Sequence, residues 1–456
     1  MTDRPTVAII GAGFSGVLTA LHLLTDPQGP RVRLIERAGA FGRGVAYSTS
    51  NPDHLLNVRV TNMSAFPGQP DHFVRWLASR SGWSSQGAFV TRGCYGDYLQ
   101  DLLRSAVESP AEAGRLLLES DEAVDARPAR RGWRVRLAMG REIDADAVVL
   151  ALGVTPPAPP AGAMPALLAS PRYLADPWGA PQALASDADH ILLIGTGLTM
   201  VDVAIALARP GRRFTALSRH GLTPRAHAPV AARPPALAPH GAPAQVFRAL
   251  RAKAEGGGWR EAVDDLRPYI HDLWASWALG QRRQFLRHLR PWWDVHRHRL
   301  APSVARRIEA MRKTGDLAVH AGRTQRLSPR GDQVEVQWSP RGGAKARRLT
   351  VDAVVNCTGP LGDLALSRDP LVRKLLAGGL IRPDACALGA EVDEAGRPLD
   401  AAGAPWPGLY AVGPLTRGAF WEITSVPDIR LQAAQTALVI GRDLGHRSAW
   451  GARDVA

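Results

Sequence analysis

The chain has 456 residues, 45% of them hydrophobic and 21% charged, with 56 basic against 42 acidic side chains and a formal charge of +14. That length predicts two or three domains with material for real cores, and no run of about 18 apolar residues marks a membrane span. The first apolar stretch starts at Val7 and breaks into glycines by Gly11, so no secretory signal is expected and the cytoplasm is the expected compartment. Cys94, Cys357 and Cys386 lie far apart, with no C-x-x-C pair and no metal-ligand spacing. That pattern argues against a disulfide framework, a zinc or other metal site, and a dithiol redox centre.

All but Lys253, Lys313, Lys345 and Lys374 of the basic residues are arginines, and they are spread along the chain. One stretch is denser: Arg282 to Lys313 holds ten basic residues against Asp294 and Glu309. No nucleic-acid module surrounds it, so an anionic small ligand fits this charge better than a polynucleotide, and neither nucleic acid nor membrane is expected as a partner.

In chain order, the first predicted element is the apolar strand Thr6 to Ile10. The turn Gly11-Ala12-Gly13-Phe14-Ser15-Gly16 follows, then a helical pattern through Leu18, Leu21 and Leu24. A second strand, Val32 to Ile35, ends in Glu36, which lies 23 residues after Gly13. Strand, glycine turn, helix and acid in this order form a dinucleotide fingerprint. Gly11 permits the tight turn, Gly13 lets backbone approach a pyrophosphate, and Gly16 lets the helix pack on the strand. The helix N-terminus offers N–H groups to the phosphates, and Glu36 would accept from ribose hydroxyls.

The plan recurs at 190 to 219. The strand His190 to Ile194 leads into Gly195-Thr196-Gly197-Leu198-Thr199-Met200, with Met200 in place of the third glycine. The next strand, Phe214 to Leu217, is followed by Ser218 and then Arg219, 22 residues after Gly197. An arginine where the first unit has an acid accepts a 2′-phosphate, so the second site prefers NADP to NAD; a plain surface arginine is the other reading of that position.

Each unit closes alike. Trp133 to Leu137 precedes a strand from Ala147 that runs to Gly153, and Val334 to Trp338 precedes one from Ala353 that runs to Gly359. The expected architecture is α/β: two Rossmann-like dinucleotide-binding domains, the second inserted in the first. The boundaries are 1–160 for the first part of one domain, 161–359 for the inserted domain, and 360–456 for the returning part. A last strand, Gly408 to Val412, ends at Gly413-Pro414, and a helix starts at about Pro427, where proline suits the first turn. Residues 240–315 read as a helical insertion covering part of the cleft between the domains. Its tryptophans, from Trp259 to Trp293, are mainly core.

Several stretches carry a family resemblance: Gly42 to Ser48, His54 to Val58, Met63 to Pro67, Tyr173 to Trp178, Gly195 to Asp202, Phe285 to Arg299, and Gly413 to Gly418 with Trp421, Glu422 and Pro427. In these the chain resembles a group of bacterial FAD/NAD(P)-binding proteins, distant kin of the class B flavin monooxygenases and amine N-hydroxylases. The resemblance implies FAD at Gly11, Gly13, Ser15, Gly16, Glu36 and Arg37. It places Arg43, Asn57, Met63 and Ser64 near the flavin or pyrophosphate, with Gly153, Gly413 and Pro427 completing the site. It implies NADPH at Gly195, Gly197, Thr199, Arg219 and Gly359. His54, Trp421 and Glu422 fall in segments expected near the flavin and are the catalytic candidates. The F-x-G-x-x-x-H fingerprint of Baeyer-Villiger enzymes is absent, which disfavours ketone-to-ester chemistry.

The implied function is an FAD- and NADPH-dependent monooxygenase that oxygenates a heteroatom, nitrogen before others, of a small substrate, anionic or neutral, through a C4a-peroxyflavin, with molecular oxygen as co-substrate. The alternative is an NADPH-dependent flavin reductase or dehydrogenase passing electrons to a small acceptor or partner protein. Arg287, His288, Arg290, His296 and His298 read either as an anion site or as a solvated helix face. Oligomeric state is open.

Overall fold

The computed structural model describes residues 4–81, 89–109, 113–178, 184, 187–228, 239–343 and 345–445. The chain divides into two compact units. One comprises 1–48, 59–155 and 362–456; the other comprises 49–58 and 156–361.

The first unit is built on five parallel strands in the spatial order Leu409–Ala411, Ala147–Leu150, Thr6–Ile10, Arg31–Ile35, Leu116–Glu119. Parallel strands are buried on both faces, and Val7, Ala8, Ile9, Val148, Val149 and Leu150 are accordingly sealed from solvent. The register sets Ile10 against Ile35 on one side and Leu150 on the other, so three strand ends come level where the glycine turn begins. A three-stranded antiparallel sheet, Ala123–Pro128, Trp133–Leu137 and Glu142–Ala145, packs with the helix Pro370–Ala377 in one apolar core. Buried Trp133 donates its indole N–H to the Pro407 carbonyl at 2.9 Å.

The second unit has seven strands in the order Arg347–Val351, Gln333–Pro340, Leu317–Arg330, Arg213–Ser218, His190–Ile194, Ala353–Asn356, Tyr173–Leu174. Pairing is parallel from Leu317–Arg330 through to Tyr173–Leu174 and antiparallel across the other two strands. Alternation of side chains feeds two cores. Ile191, Leu193, Phe214 and Val355 meet the helices on one face; Leu192, Ile194, Leu217 and Val354 meet Val336 and Trp338 on the other. Met200, which replaces the third glycine, is fully buried in the first of these cores. The helix is therefore seated by a side chain in apolar contact.

From Pro243 to Lys313 the chain is helical, in short pieces. Trp274, Trp277, Phe285 and Trp293 are core, but Trp292 is 45% exposed. Phe285–Leu289 is a π-helical turn. Pro291 lacks the N–H that would close an α-turn on Arg287, and the ladder widens there. No helix among the described residues is long and apolar enough to cross a membrane.

The glycine-delimited boundaries need one correction. Residues 49–58 belong to the second unit, not to the 1–160 segment. Three contacts hold them there: Arg307 pairs with Asp53, His227 Nε2 lies 3.0 Å from the Asn57 carbonyl, and His54 Nε2 lies 3.1 Å from the Asp202 carbonyl.

Candidate active site

In the first unit, the strand Thr6–Ile10 delivers the chain to Gly11 at φ +101°, a left-handed conformation that side chains rarely adopt; a Cβ there would lie 2.3 Å from the Ala151 carbonyl oxygen. A Cβ on Gly16 would lie 1.9 Å from the Gly11 carbonyl oxygen, so the helix Phe14–Leu24 approaches the turn as closely as backbone allows. Its N-cap is Gly13, no side chain caps it, and its first turn carries no acid. The first N–H groups and the positive end of the helix are therefore available to an anion.

A cavity of about 380 Å³ opens over this turn, within the size range of small-molecule sites. It brings together Gly11, Gly13, Ser15, Glu36, Arg37, Arg43 and Gly153 from the N-terminal part with Pro414, Thr424 and Ile429 from the C-terminal part. Glu36 is oriented by two backbone donors, Ala12 N and Ala38 N, each at 3.0 Å. A carboxylate has capacity for further donors beyond these, as ribose hydroxyls require. Arg37 reaches Glu122 and Asp369, both at 3.5 Å and both lining the cavity. Arg43 donates to Gln100 Oε1 at 3.0 Å and pairs with Asp97, while Gly42 N donates to the Ala12 carbonyl at 2.8 Å. The loop carrying Arg43 is thus tied to both the fingerprint turn and the helix Arg92–Glu108. The donor set, the uncapped helix and the glycine cradle fit a dinucleotide.

Other expected residues are placed differently. Gly413, at φ +78°, abuts Ser15: a Cβ there would lie 2.3 Å from Ser15 Oγ, so the last strand ends against the start of the first helix. Pro427 is the second residue of the helix Val426–Gly445; it is Thr424 and Ile429 that line the cavity. Met63 and Ser64 are buried, and Ser64 Oγ is engaged with the Phe66 and Gln69 carbonyls of its own turn. Neither lines this cavity. Asn57 lies in the second unit, where its carbonyl accepts from His227.

His54 is also in the second unit. The Asp202 carbonyl can only accept, so Nε2 carries the proton and Nδ1 accepts from Thr49 Oγ1 at 2.9 Å. Both ring nitrogens are committed and the residue is 5% exposed; the geometry is that of a structural histidine. His54→Ala should lower stability by about 1–3 kcal/mol through the unpaired carbonyl and hydroxyl and leave the rate of flavin reduction by NADPH within about threefold. Thermal unfolding and stopped-flow absorbance read the two effects; a large loss of rate with unchanged stability would restore a catalytic role. Trp421 and Glu422 are buried in the first unit, and Glu422 sits at φ +72°, uncommon for a residue with a side chain. The Arg417 guanidinium lies 4.7 Å from the Trp421 ring centroid.

In the second unit, Gly195 is at φ +113°, where a Cβ would meet the Cys357 carbonyl oxygen at 2.2 Å, while a Cβ on Gly197 meets nothing within 4 Å. Gly197 caps the helix Leu198–Leu207, which again has no side-chain cap and no acid in its first turn. At the end of Arg213–Ser218, Arg219 is joined by residues the sequence reading missed. Ser218 pairs with Ala321, Arg341 N donates to the Ala321 carbonyl at 2.9 Å, and the Arg341 guanidinium donates to His220 Nδ1. Burial, then the charges of Arg341, Arg219 and Arg323, hold the His220 imidazole below its ordinary pKa. Four basic side chains from three segments thus share one strand end. Gly359, at φ +88°, follows the Ala353–Asn356 strand. Buried Asn356 donates to the Ala158 carbonyl at 2.9 Å and accepts from Thr358 Oγ1 at 2.7 Å, fixing that strand end.

None of Cys94, Cys357 and Cys386 forms a disulfide. Burial, with Asp202 nearby, pushes the Cys357 thiol far above its ordinary pKa.

Residues 8–155 match the model of a family described as FAD-NAD(P)-binding. Over 214 residues the chain is 22% identical to the Escherichia coli (strain K12) protein YdhS, described as uncharacterized; the match covers 44% of this chain and 39% of YdhS. The chain therefore spans about two fifths of that relative's length. Across nearly its whole length the fold is similar to L-lysine 6-monooxygenase from Pseudomonas syringae, with TM-score 0.68 and 16% identity over 96% of this chain and 99% of that one. It is also similar to the ornithine N-hydroxylase KtzI from Kutzneria sp. 744, solved with reduced FAD, NADP+ and L-ornithine, with TM-score 0.64 and 15% identity over 96% and 99%. T. acidophilum thioredoxin reductase follows at TM-score 0.54 and 11% identity over 97% and 99%. The fold is thus the one these flavin-dependent oxidoreductases share, and within it residues 8–155 match the FAD-NAD(P)-binding model.

Proposed function

We propose that the protein is an NADPH-dependent flavin monooxygenase that oxygenates a heteroatom, nitrogen before others, of a small substrate. The observation that carries this reading is likeness over nearly the full chain to an ornithine N-hydroxylase and a lysine 6-monooxygenase, in a protein none of whose three cysteines forms a disulfide. A dithiol relay needs two neighbouring thiols, one reactive as thiolate. Cys357 is buried and protonated, and no C-x-x-C pair exists.

In this reading Gly11, Gly13 and Ser15 hold the FAD pyrophosphate at the first uncapped helix, Glu36 holds the ribose, and Arg37 and Arg43 close the cavity. Gly195, Gly197 and Thr199 hold the NADPH pyrophosphate, and Arg219 with Arg323 and Arg341 takes the 2′-phosphate. Bound FAD supplies a redox centre between the reduced nicotinamide and oxygen. Holding the coenzymes in register is the protein's contribution to rate.

The test is turnover of NADPH with isotopically labelled dioxygen and a panel of primary amines. Label in an N-hydroxylated product is the expected result; peroxide equal to the NADPH consumed, with every amine, would contradict it. The thioredoxin-reductase likeness favours a second reading, an NADPH-dependent flavin reductase passing electrons to a small acceptor. Fast anaerobic turnover with quinones and no oxygenated product would select it.

A further inference from the structure

The helical segment of the second unit forms an open cavity of about 490 Å³ whose lining shares no residue with either glycine turn. Its volume is that of a small-molecule pocket, and its walls are Phe247, Trp259, Val263, Leu289, Trp292 and Trp293. Trp292 is 45% exposed beside the fully buried Trp293. With Trp292 at its edge, the apolar lining of the cavity extends to the surface. The π-turn Phe285–Leu289 sets His288 and Leu289 into the wall, and such turns recur at functional sites.

Charge sets the ligand's polarity. The charged side chains of the lining are Arg248 and Arg251, with no carboxylate among them, and His288 and His296 are its other titratable groups. Arg248 and Arg251 are exposed, and neither has an acidic partner among the described residues. Behind the wall, Arg260 lies 4.3 Å and Arg299 5.1 Å from the Trp259 ring centroid. Arg299 is matched by Asp264, whereas Arg260 is satisfied by the neutral Ala226 carbonyl. His296 Nδ1 lies 2.7 Å from the Trp292 carbonyl and so carries the proton, which leaves Nε2 as an acceptor. An apolar, aromatic hollow in a positive field with a cationic rim selects an anion with an apolar body.

We propose that this cavity binds an amphiphilic monocarboxylate, its hydrocarbon or aryl body among the tryptophans and its carboxylate at Arg248 and Arg251. The site is separate from the coenzyme cradles, and the proposal does not rest on the monooxygenase reading.

Calorimetric titration of the flavin-loaded protein with decanoate and decyltrimethylammonium below their micelle concentrations, and with decanol below its solubility limit, tests it. Decanoate should bind saturably and at least about tenfold more tightly than the alcohol or the cation. Arg248→Glu with Arg251→Glu, both exposed, should remove that preference and leave decanol binding unchanged. Ala244→Trp, an exposed position on the lining, should block all binding. Retained flavin content and an unchanged unfolding temperature verify that each variant is folded. No saturable decanoate binding below about 1 mM, equal affinity for the cation, or full decanoate affinity in the double variant would each overturn the proposal.

Discussion

Gly13→Ala should give a protein that folds normally and has lost most of its affinity for FAD. Gly13 has φ −75° and ψ −166°, which any residue adopts, and an added Cβ meets only Gly44 Cα at 3.5 Å, an ordinary contact. The free protein therefore has room for the methyl group. Gly13 nevertheless lines the cavity at the helix N-terminus, where a pyrophosphate needs bare backbone N–H groups, and a loss of about 10- to 100-fold is expected. Gly16→Ala separates packing from ligand approach. Its Cβ would fall 1.9 Å from the Gly11 carbonyl oxygen, and overpacking of this kind costs about 1–3 kcal/mol. Gly16→Ala should lose both flavin and unfolding temperature. The flavin-to-protein absorbance ratio after gel filtration and a melt of the apoprotein read both variants. Full flavin retention in Gly13→Ala, or an unchanged melt in Gly16→Ala, would refute the assignment.

The second large effect is on coenzyme choice. Arg219 and Arg341 come from different strand ends yet meet at His220, and a phosphate dianion there gains charge-assisted hydrogen bonds from both. Each such contact contributes about 1.5–3 kcal/mol, so the double variant Arg219→Ala/Arg341→Ala should raise KM for NADPH by about 100-fold or more. KM for NADH should move by no more than about twofold, because that coenzyme has nothing to present to the cluster. Single alanines should each account for part of the loss. Anaerobic flavin reduction at varied coenzyme concentration measures this. Equal losses for both coenzymes would show that the arginines support the fold instead.

These two sites differ in how far they could be read from the sequence. The strand, glycine turn and helix at 6–24 and at 190–207 are local patterns. Their geometry follows from residue spacing, so Gly11, Gly13, Glu36, Gly195 and Arg219 were legible. Arg323 and Arg341 were not. They reach Arg219 only because the strand Leu317–Arg330 pairs in parallel with Arg213–Ser218 and then turns back in a hairpin, a register no local pattern encodes. His54 and Asn57 show another limit of local pattern. Their segment resembles one expected at a flavin, but residues 49–58 pack with the second unit through Asp53, His54 and Asn57. An isolated histidine in a sequence carries no sign of whether its nitrogens are committed. The aromatic cavity was hidden for a related reason. Tryptophans at helical spacing read as core, and Trp274 and Trp293 are core, yet the widened turn ahead of Pro291 leaves Trp292 at the edge of a hollow.

In the proposed function two dinucleotide frames on this chain serve one bound flavin. Mixing the purified, FAD-incubated protein with NADPH in the absence of oxygen and following the flavin absorbance is the decisive measurement. The expected result is a yellow protein that NADPH bleaches far faster than it bleaches free FAD, with NADH slower at equal concentration. A protein that stays colourless after incubation with FAD, or bound flavin that NADPH reduces no faster than flavin in solution, would contradict it.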